Sequence, residues 1–451
     1  MAFLSEDSDG ESLYLSENIG GMVVNIISKR VRGMQDLLPN EARNYETLGK
    51  IMREEAESYG FKLIRTPVLE CTELFDRSVG DSSDVVEKEM YTFEDKGGRS
   101  VTLRPEGTSP VLRAVLENGL HNSVLPLKLM YEASCYRYEK PQSGRLREFF
   151  QFGLEIFGTN SYLADVELIC AVKAILGRVR IRDASIEINS IGCSECRKKY
   201  NEAIRNYFET QKDNLCETCR DRLSRNPLRI FDCKNDDCKK ICENAPVILD
   251  YICGECSTHF ENVKKTLDSL GIIYTVNPYI VRGLDYYSKT VFEFVCEVDG
   301  ENITVGGGGR YDGLSKFIGG PDLPAIGFGI GMERVRMIME KRGINFDPPQ
   351  NIEFFVASVG EKAQRYAVKI CEVMRRSGVS CECDISGKNL KSQMKYANRI
   401  NATFAVVLGD EELENNRAKI KEMAHGKETE IPLTREGFIK FLLNAQVSFL
   451  E

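Results

Sequence analysis

The sequence predicts an α+β fold: an antiparallel sheet flanked by helices, with a Cys-rich helical insertion and a separate C-terminal α/β domain. Three observations lead there. Short β runs joined by turns, with few helices among them, point to the sheet. Nine of the sixteen cysteines fall within residues 190–265, amid Lys, Arg, Asn and Asp, which marks an inserted module. From about Ile352 strand and helix signals alternate after the linker FDPPQN, as in an α/β domain.

At 451 residues the chain exceeds one ordinary core and implies several domains. Its 42% hydrophobic and 28% charged content fits a globular protein, and no apolar run is long enough to span a membrane. The first 21 residues carry Glu6, Asp7, Asp9, Glu11 and Glu17 but no Lys or Arg. That excludes a secretory signal and reads as a disordered acidic tail over 1–21. Met22 opens the more apolar run MVVNIIS and is an alternative start. The net charge of −8 argues against a surface coated with phosphate-binding cations, though a local basic strip still suits RNA. With only His121, His259 and His425, a His-rich metal centre is excluded. Without a secretory signal, the cysteines read as reduced thiols or metal ligands.

Along the chain, Asn40 is placed to cap a helix from about Glu41 to Tyr59, with Leu48, Ile51, Met52, Ala56 and Tyr59 as its apolar stripe and Gly60 as its stop. FKLIRTPVLE reads as a strand with Pro67 at an edge or bulge. MYTFED and RSVTLRPE, separated by KGG, read as a hairpin. LKLMYEASCYRYE, REFFQFGLEIFG, KTVFEFVCEV and AIGFGIG are further strands. In the last domain IEFFVASVG, SCECDIS and TFAVVLGD are strands. The stripe Ala367, Ile370, Cys371 and Met374, ended by Gly378, and KNLKSQMKYANRI are helices. The boundaries expected are 22–348 for the main domain, holding the 190–265 insertion, and 349–451 for the last.

Five segments carry chemistry. In LRPEGTSP, Glu106 and Thr108 offer a carboxylate and a hydroxyl to an ammonium group, or simply cap a helix. In CYRYEKPQSGRLREFFQFGLE, Arg137, Arg145 and Arg147 alternate with aromatics and glutamates. Strand alternation would put Arg137 and Glu139 on one face, suited to phosphate oxygens or to a surface of exchangeable ion pairs. VRGLDYYSKTVFE supplies Arg282, Asp285, Tyr286 and Tyr287: a guanidinium beside a glycine and two walls with hydroxyl tips, or an ordinary turn. VGGGGRYDGL lacks the ending of a P-loop and reads as backbone packed on a flat ligand, or a flexible turn. GFGIGMERV leads a glycine-rich strand into a helix bearing Arg334.

Together, in this order, the five segments resemble the histidyl-tRNA synthetases, a family of class II aminoacyl-tRNA synthetases. The likeness runs from about Arg32 to the C-terminus. The first helix and Pro67 resemble motif 1, Tyr136–Glu155 motif 2 and Gly327–Arg334 motif 3. VRGLDYYSKTVFE and GGGRYDGL resemble the two histidine-specific segments, the most specific of the signals.

The resemblance implies a class II sheet, an anticodon-binding C-terminal domain, and a two-step reaction in the cytoplasm. L-Histidine and ATP form histidyl-adenylate, and histidine is then transferred to the 3′ end of tRNA(His). It implies that Glu106, Gly107 and Thr108 hold the amino acid's ammonium end and that Gln151, Glu155, Tyr286, Tyr287 and Tyr311 line its pocket, with Glu155 on the imidazole. Arg137 would meet the α-phosphate, Glu139 the adenine end and Arg334 the γ-phosphate, with Gly331 beside ATP and Arg282 as the family's own catalytic arginine. Gln142 and Arg145 would meet the tRNA acceptor end, and Lys388, Lys391, Lys395 and Arg399 its phosphates unless they form a merely solvated helix face. ATP would carry Mg2+. A carboxylate nucleophile is already ionised at pH 7, so alignment and charge neutralisation suffice without a general base. The family is homodimeric through motif 1, which the apolar stripe of the first helix permits. Many bacterial relatives have Arg at Lys140 and His at Phe150; Lys keeps the charge but not the fork, and Phe removes a polar neighbour of Gln151.

Three CxxC pairs, Cys193/Cys196, Cys216/Cys219 and Cys253/Cys256, bracket Cys233, Cys238 and Cys242. A tetrahedral zinc site needs about four thiolates, so a structural Zn2+ with open pairing is expected, against reduced packing cysteines. Two other classes compete. A catalytically idle paralogue regulates ATP phosphoribosyltransferase, but it lacks the anticodon domain that this chain retains. A zinc-dependent nucleic-acid-binding module would explain the cysteines and none of the other segments.

Overall fold

The computed structural model describes residues 29–79, 85–280, 286–345 and 352–448. The acidic tail, Met22, Arg282, Asp285 and the linker FDPPQN lie outside the described residues. Two compact units divide between Phe346 and Asp347. No helix among the described residues is long and apolar enough to cross a membrane.

The first unit opens with α1 (Pro39–Ser58). Asn40 is not its cap. Leu38 takes that place, Pro39 fills the first position, where a missing N–H costs nothing, and the Glu41 carboxylate accepts from Leu38 N at 3.2 Å. Its stripe of Tyr45, Leu48, Met52 and Ala56 is buried in the unit's own core, not held free for a partner. The strand expected over FKLIRTPVLE is two, β1 (Lys62–Leu63) and β2 (Leu69–Cys71), which join different sheets on either side of Pro67. After α2 (Thr72–Val79), β3 (Tyr91–Glu94) and β4 (Ser100–Leu103) form the expected hairpin and β2 completes a three-stranded sheet. Asp95 closes the turn by accepting from Gly97 N and Arg99 N at 2.8 and 3.0 Å.

Next come α3 (Thr108–Glu117), β5 (Leu127–Tyr136), β6 (Glu148–Phe157) and α4 (Tyr162–Arg178). Helix α4 has no expectation behind it in the sequence. It packs against the sheet and α1 with apolar residues on most sides, so no single stripe of period 3.6 marks it. β7 (Ser185–Ser190) leads into the insertion helices α5 (Ser194–Thr210), α6 (Glu217–Arg225) and α7 (Asp236–Glu243), and α8 (Gly254–Ser269) returns the chain to the main core. β8 (Thr275–Val276), β9 (Ser288–Val298), β10 (Glu301–Arg310), α9 (Leu314–Phe317), β11 (Ala325–Gly331) and α10 (Met332–Lys341) complete the unit. The run VGGGG, expected as a ligand-packing stretch or a flexible turn, is the body of strand β10.

The eight-stranded sheet runs β1-β5-β6-β11-β10-β9-β7-β8. It is antiparallel except at its two edges, where short β1 and β8 pair in parallel with β5 and β7. One face buries Phe152, Leu154, Ile156, Phe294 and Phe328 against α1, α4, α8 and α10. Burying each such side chain contributes about 1.5–3 kcal/mol. Alternation therefore turns Gln151, Gly153 and Glu155 of β6 to the other face.

The second unit has β12 (Phe354–Ser358), α11 (Glu361–Arg376), β13 (Cys381–Cys383), α12 (Leu390–Arg399), β14 (Phe404–Leu408), α13 (Asp410–Asn415), β15 (Arg417–Glu422), β16 (Glu428–Pro432) and α14 (Arg435–Ser448). β13, β12 and β14 are parallel, and the hairpin β15–β16 extends them antiparallel. Ala367, Ile370, Cys371 and Met374 of α11 are buried, as their spacing predicts.

Candidate active site

The site is built on the face of β6 left open by the core. Glu155 is fully buried there, with Oε1 accepting from Thr108 Oγ1 at 2.7 Å and Oε2 accepting from the Tyr311 hydroxyl. Burial pushes its carboxyl up to about 8, against the pull of those two hydroxyls. Four residues earlier, Gln151 Oε1 accepts from Gly107 N at 2.9 Å and from Tyr131 OH at 3.2 Å.

Space for these two side chains comes from the neighbouring strand. Register sets Gly327 opposite Glu155 and Gly331 opposite Gln151. A Cβ on Gly327 would lie 2.6 Å from Glu155 Cδ and closer still to Oε2. A Cβ on Gly329 would lie 2.8 Å from Gln151 Nε2. Gly327 and Gly329 are thus required by the carboxylate and amide beside them.

Glu106 is buried at the start of α3 and accepts from Thr108 N at 2.6 Å and Ser109 N at 2.7 Å. Its side chain fills the helix-capping role by taking two N–H groups of the first turn. Tyr286, Tyr287 and Tyr311 are buried in one apolar cluster with Tyr131 and Phe157, the Tyr286 ring 4.7 Å from Tyr287 and 5.5 Å from Tyr311. Tyr131 has no expectation behind it in the sequence. Its signal was alternation, since Leu129, Tyr131, Ala133 and Cys135 share one face of β5.

Arg137 and Glu139 do not lie on the strand, because β5 ends at Tyr136. Arg137 is held instead by Nε donating to Pro105 O at 2.8 Å and by packing 5.3 Å from the Phe149 ring. The loop that follows turns at Gly144, with Gln142 and Arg145 exchanging both backbone hydrogen bonds at its exposed tip. Arg145 pairs with Glu139 at 3.6 Å, and Ser143 donates to the Met337 sulfur on α10 at 3.2 Å. Arg147 turns away, its guanidinium 3.8 Å from the Tyr138 ring centre, and its backbone N donates to Gly33 O.

Arg334, on the first turn of α10, donates to Thr304 O at 2.6 Å. Burial lowers its pKa first, and the like charges of Arg145 and Arg137 lower it further. The carboxylates of Glu139 and Glu293 oppose that lowering, so three arginines and two carboxylates share the region. The adjoining Glu333 accepts from Phe150 N at 2.8 Å, and burial raises its carboxyl to about 7. Phe150 packs 5.3 Å from the Tyr45 ring, on the opposite face from Gln151, so the departure noted at this position does not touch the Gln151 contacts. Lys140 is exposed.

The segment GGGRYDGL contributes a second residue beside Tyr311. Arg310 is completely buried, pairs with Asp165 and Asp312 at 2.9 Å each, and donates to Thr159 O and Ser161 O. Asp165 in turn meets His259 at 3.0 Å. Arg310 thereby ties the end of β10 to the start of α4 and sets the backbone that presents Tyr311. Surface clefts of about 330 and 540 Å3 lie elsewhere on the unit.

In the insertion the cysteines gather in two foursomes: Cys193, Cys196, Cys253 and Cys256, and Cys216, Cys219, Cys233 and Cys238. The six CxxC cysteines are therefore divided between two groups, and Cys233 and Cys238, not assigned as ligands from sequence, complete the second. Lys388, Lys391, Lys395 and Arg399 are exposed on and just before α12.

A family model described as histidyl-tRNA synthetase matches residues 33–335, and one described as an anticodon binding domain matches residues 353–444. A histidine–tRNA ligase of Clostridium novyi is 49% identical over 402 residues, covering 89% of this chain and 96% of that protein. One of Caldanaerobacter subterraneus subsp. tengcongensis is 48% identical, covering 90% and 97%. The crystal structure of apo S. aureus histidyl-tRNA synthetase is similar with a TM-score of 0.77 at 38% identity, covering 90% of this chain and 98% of that one.

Proposed function

The chain belongs to the histidyl-tRNA synthetase family, and we propose that its histidine–tRNA ligase activity is centred on the buried Glu155–Gln151 face of β6. Histidine, ATP and tRNA are the substrates of that activity. The observation that carries the assignment is Glu155: a carboxyl buried among hydroxyls, beside a strand whose glycines give it room.

In this reading Glu155 accepts an imidazole N–H, and Tyr286, Tyr287 and Tyr311 wall the ring. Glu106, Gly107 and Thr108 hold the ammonium end, with Gln151 alongside. The histidine carboxylate attacks the α-phosphorus of ATP, forming the adenylate and releasing pyrophosphate. Arg137 neutralises the oxygens of the α-phosphate and Arg334 the far phosphate, while Glu139 and Gly331 border the nucleotide. Magnesium enters with ATP as part of the substrate. Arg282 receives its catalytic role from the resemblance of its segment alone. Because the nucleophile is already a carboxylate, catalysis is alignment plus charge neutralisation, for which removal of one donor costs about 100- to 1,000-fold. A site that pairs both imidazole nitrogens rejects apolar amino acids by about 10⁴-fold or more.

Gln142 and Arg145, at the exposed loop tip, are proposed to meet the acceptor end of tRNA(His), and Lys388, Lys391, Lys395 and Arg399 its phosphates. A structural zinc is proposed in the insertion, on the thiolates of its cysteine groups. We further assign residues 22–348 as the catalytic domain and 349–451 as the anticodon-binding domain, a homodimeric state and a cytoplasmic location. Val68, Leu69 and Phe93 are exposed apolar side chains of the first unit.

The test is histidine-dependent exchange of pyrophosphate into ATP, followed by charging of tRNA(His). Exchange driven by another amino acid and not by histidine overturns the pocket assignment. Arg282→Ala should cut exchange strongly while histidine still binds; a near-normal rate removes Arg282 from the mechanism.

A further inference from the structure

Every cysteine pair of the insertion sits at the start of a helix. Cys193, Cys216 and Cys253 are the cap residues of α5, α6 and α8, and Cys196, Cys219 and Cys256 lie in the first turns. Cys233 precedes α7, and Cys238 lies in its first turn. Eight sulfurs thus stand at, or just before, the starts of four helices.

The sulfurs of each foursome lie within 4.8 Å of one another, and none is in a disulfide. Cys193 and Cys196 Sγ are 3.5 Å apart, and Cys216 and Cys233 Sγ are 3.8 Å apart. A covalent S–S bond is about 2.05 Å, whereas four thiolates at about 2.3 Å from a tetrahedral zinc stand about 3.8 Å from each other. Each foursome is also stitched across its halves by a backbone donor. Cys253 N donates to Cys196 Sγ at 3.0 Å, and Cys216 N donates to Cys238 Sγ at 3.3 Å. Such N–H donors share the charge that four thiolates would place on an ion.

Resting on the structural-zinc reading above, we propose that the insertion binds two zinc ions, one in each foursome, with distinct positions in the architecture. Cys193, Cys196, Cys253 and Cys256 form a neck centre. They join the point where the chain leaves β7 to the point where α8 returns it to the core through Phe260, Val263 and Leu267. The neck also pairs with the start of β9, since Lys289 N donates to Gly192 O and Ile191 N donates to Lys289 O, both at 2.8 Å. Cys216, Cys219, Cys233 and Cys238 form an inner centre that ties α6 to α7. The cysteines of the inner centre pack in the insertion's own apolar cluster with Ile204, Phe208, Leu223, Ile230 and Ile248. A module of this size needs staples beyond its core. Cys242 belongs to neither centre; its thiol is buried and donates to Ile230 O at 3.7 Å.

The test uses the full chain purified without chelator and dialysed into metal-free buffer, with metal counted by mass spectrometry. Two zinc ions per chain are expected. The double variants Cys193→Ser/Cys196→Ser and Cys233→Ser/Cys238→Ser should each keep one, and Cys242→Ser should keep two. Cobalt substitution should give the absorption of tetrahedral tetrathiolate sites, halved in each double variant. Absence of metal from the wild type overturns both the structural-zinc reading and this proposal. One zinc per chain, or undiminished zinc in Cys233→Ser/Cys238→Ser, overturns the two-centre partition while the zinc reading stands. Iron in place of zinc overturns the choice of ion. If a double variant is insoluble, zinc X-ray absorption of the wild type decides: four sulfurs per ion and two ions per chain are required, and nitrogen ligands or a single ion defeat the proposal.

Discussion

Glu155→Gln replaces a buried, titratable carboxyl with a neutral amide of the same shape. Both partners of Glu155, Thr108 and Tyr311, are hydroxyls, which can reverse and accept from an amide N–H. Burial raises the carboxyl from an ordinary 4.5 to about 8. Below the ordinary value it is neutral folded and unfolded, and contributes nothing. Between the two values the unfolded chain has released a proton that the folded chain keeps, so rising pH costs stability by about 1.4 kcal/mol per unit. At pH 7 the accumulated cost is about 3 kcal/mol, and it levels off above the folded pKa of about 8. Glutamine escapes this cost. The variant should therefore unfold at higher denaturant than wild type at neutral pH, with the gap closing as pH falls toward about 5. Denaturation of the substrate-free protein, followed by tyrosine circular dichroism because the chain has no Trp, measures it. In the same variant kcat/KM for histidine in pyrophosphate exchange should fall about 10- to 150-fold, the equivalent of one charged hydrogen bond. A variant less stable than wild type by the same margin at every pH would refute the buried-charge argument.

Gly327→Ala should push the Glu155 carboxylate aside and raise KM for histidine at least about 10-fold, with little change in KM for ATP; parallel titrations of the two substrates check it. Arg310→Ala leaves Asp165 buried without its arginine and should destabilise the first unit by about 3–5 kcal/mol in denaturant titrations, more than any exposed ion-pair deletion. Removing residues 347–451 should preserve pyrophosphate exchange, since each unit has its own core, while tRNA charging falls steeply; equal loss of both activities would contradict that division.

Some of these features are legible in residue order and some are not. The hairpin β3–β4, the strands β5, β6 and β11 and the stripe of α11 follow from local periodicity and turn chemistry. Helix α4 does not, because burial on most sides erases the amphipathic signal that periodicity relies on. Arg137 was expected on a strand face, yet the strand stops one residue earlier and a carbonyl of Pro105, 32 residues away in sequence, fixes its guanidinium. Tyr131 carries no mark in the sequence, because a tyrosine on an alternating strand resembles ordinary core and only folding brings its hydroxyl to the Gln151 amide.

What the residue order determined by itself was the set of chemical parts: the ordered motifs and their likeness to one family, the glycines, arginines and tyrosines, and the CxxC pairs. Those are properties of neighbours along the chain, where spacing and type suffice. What only the tertiary structure decided was which distant parts meet. The register of β11 on β6 sets Gly327 against Glu155, and the folding of α5, α6, α7 and α8 sorts eight of the nine insertion cysteines into two foursomes. The physical reason is that ladder pairing and side-chain packing fix contacts between residues far apart in sequence, and local propensity carries no term for them.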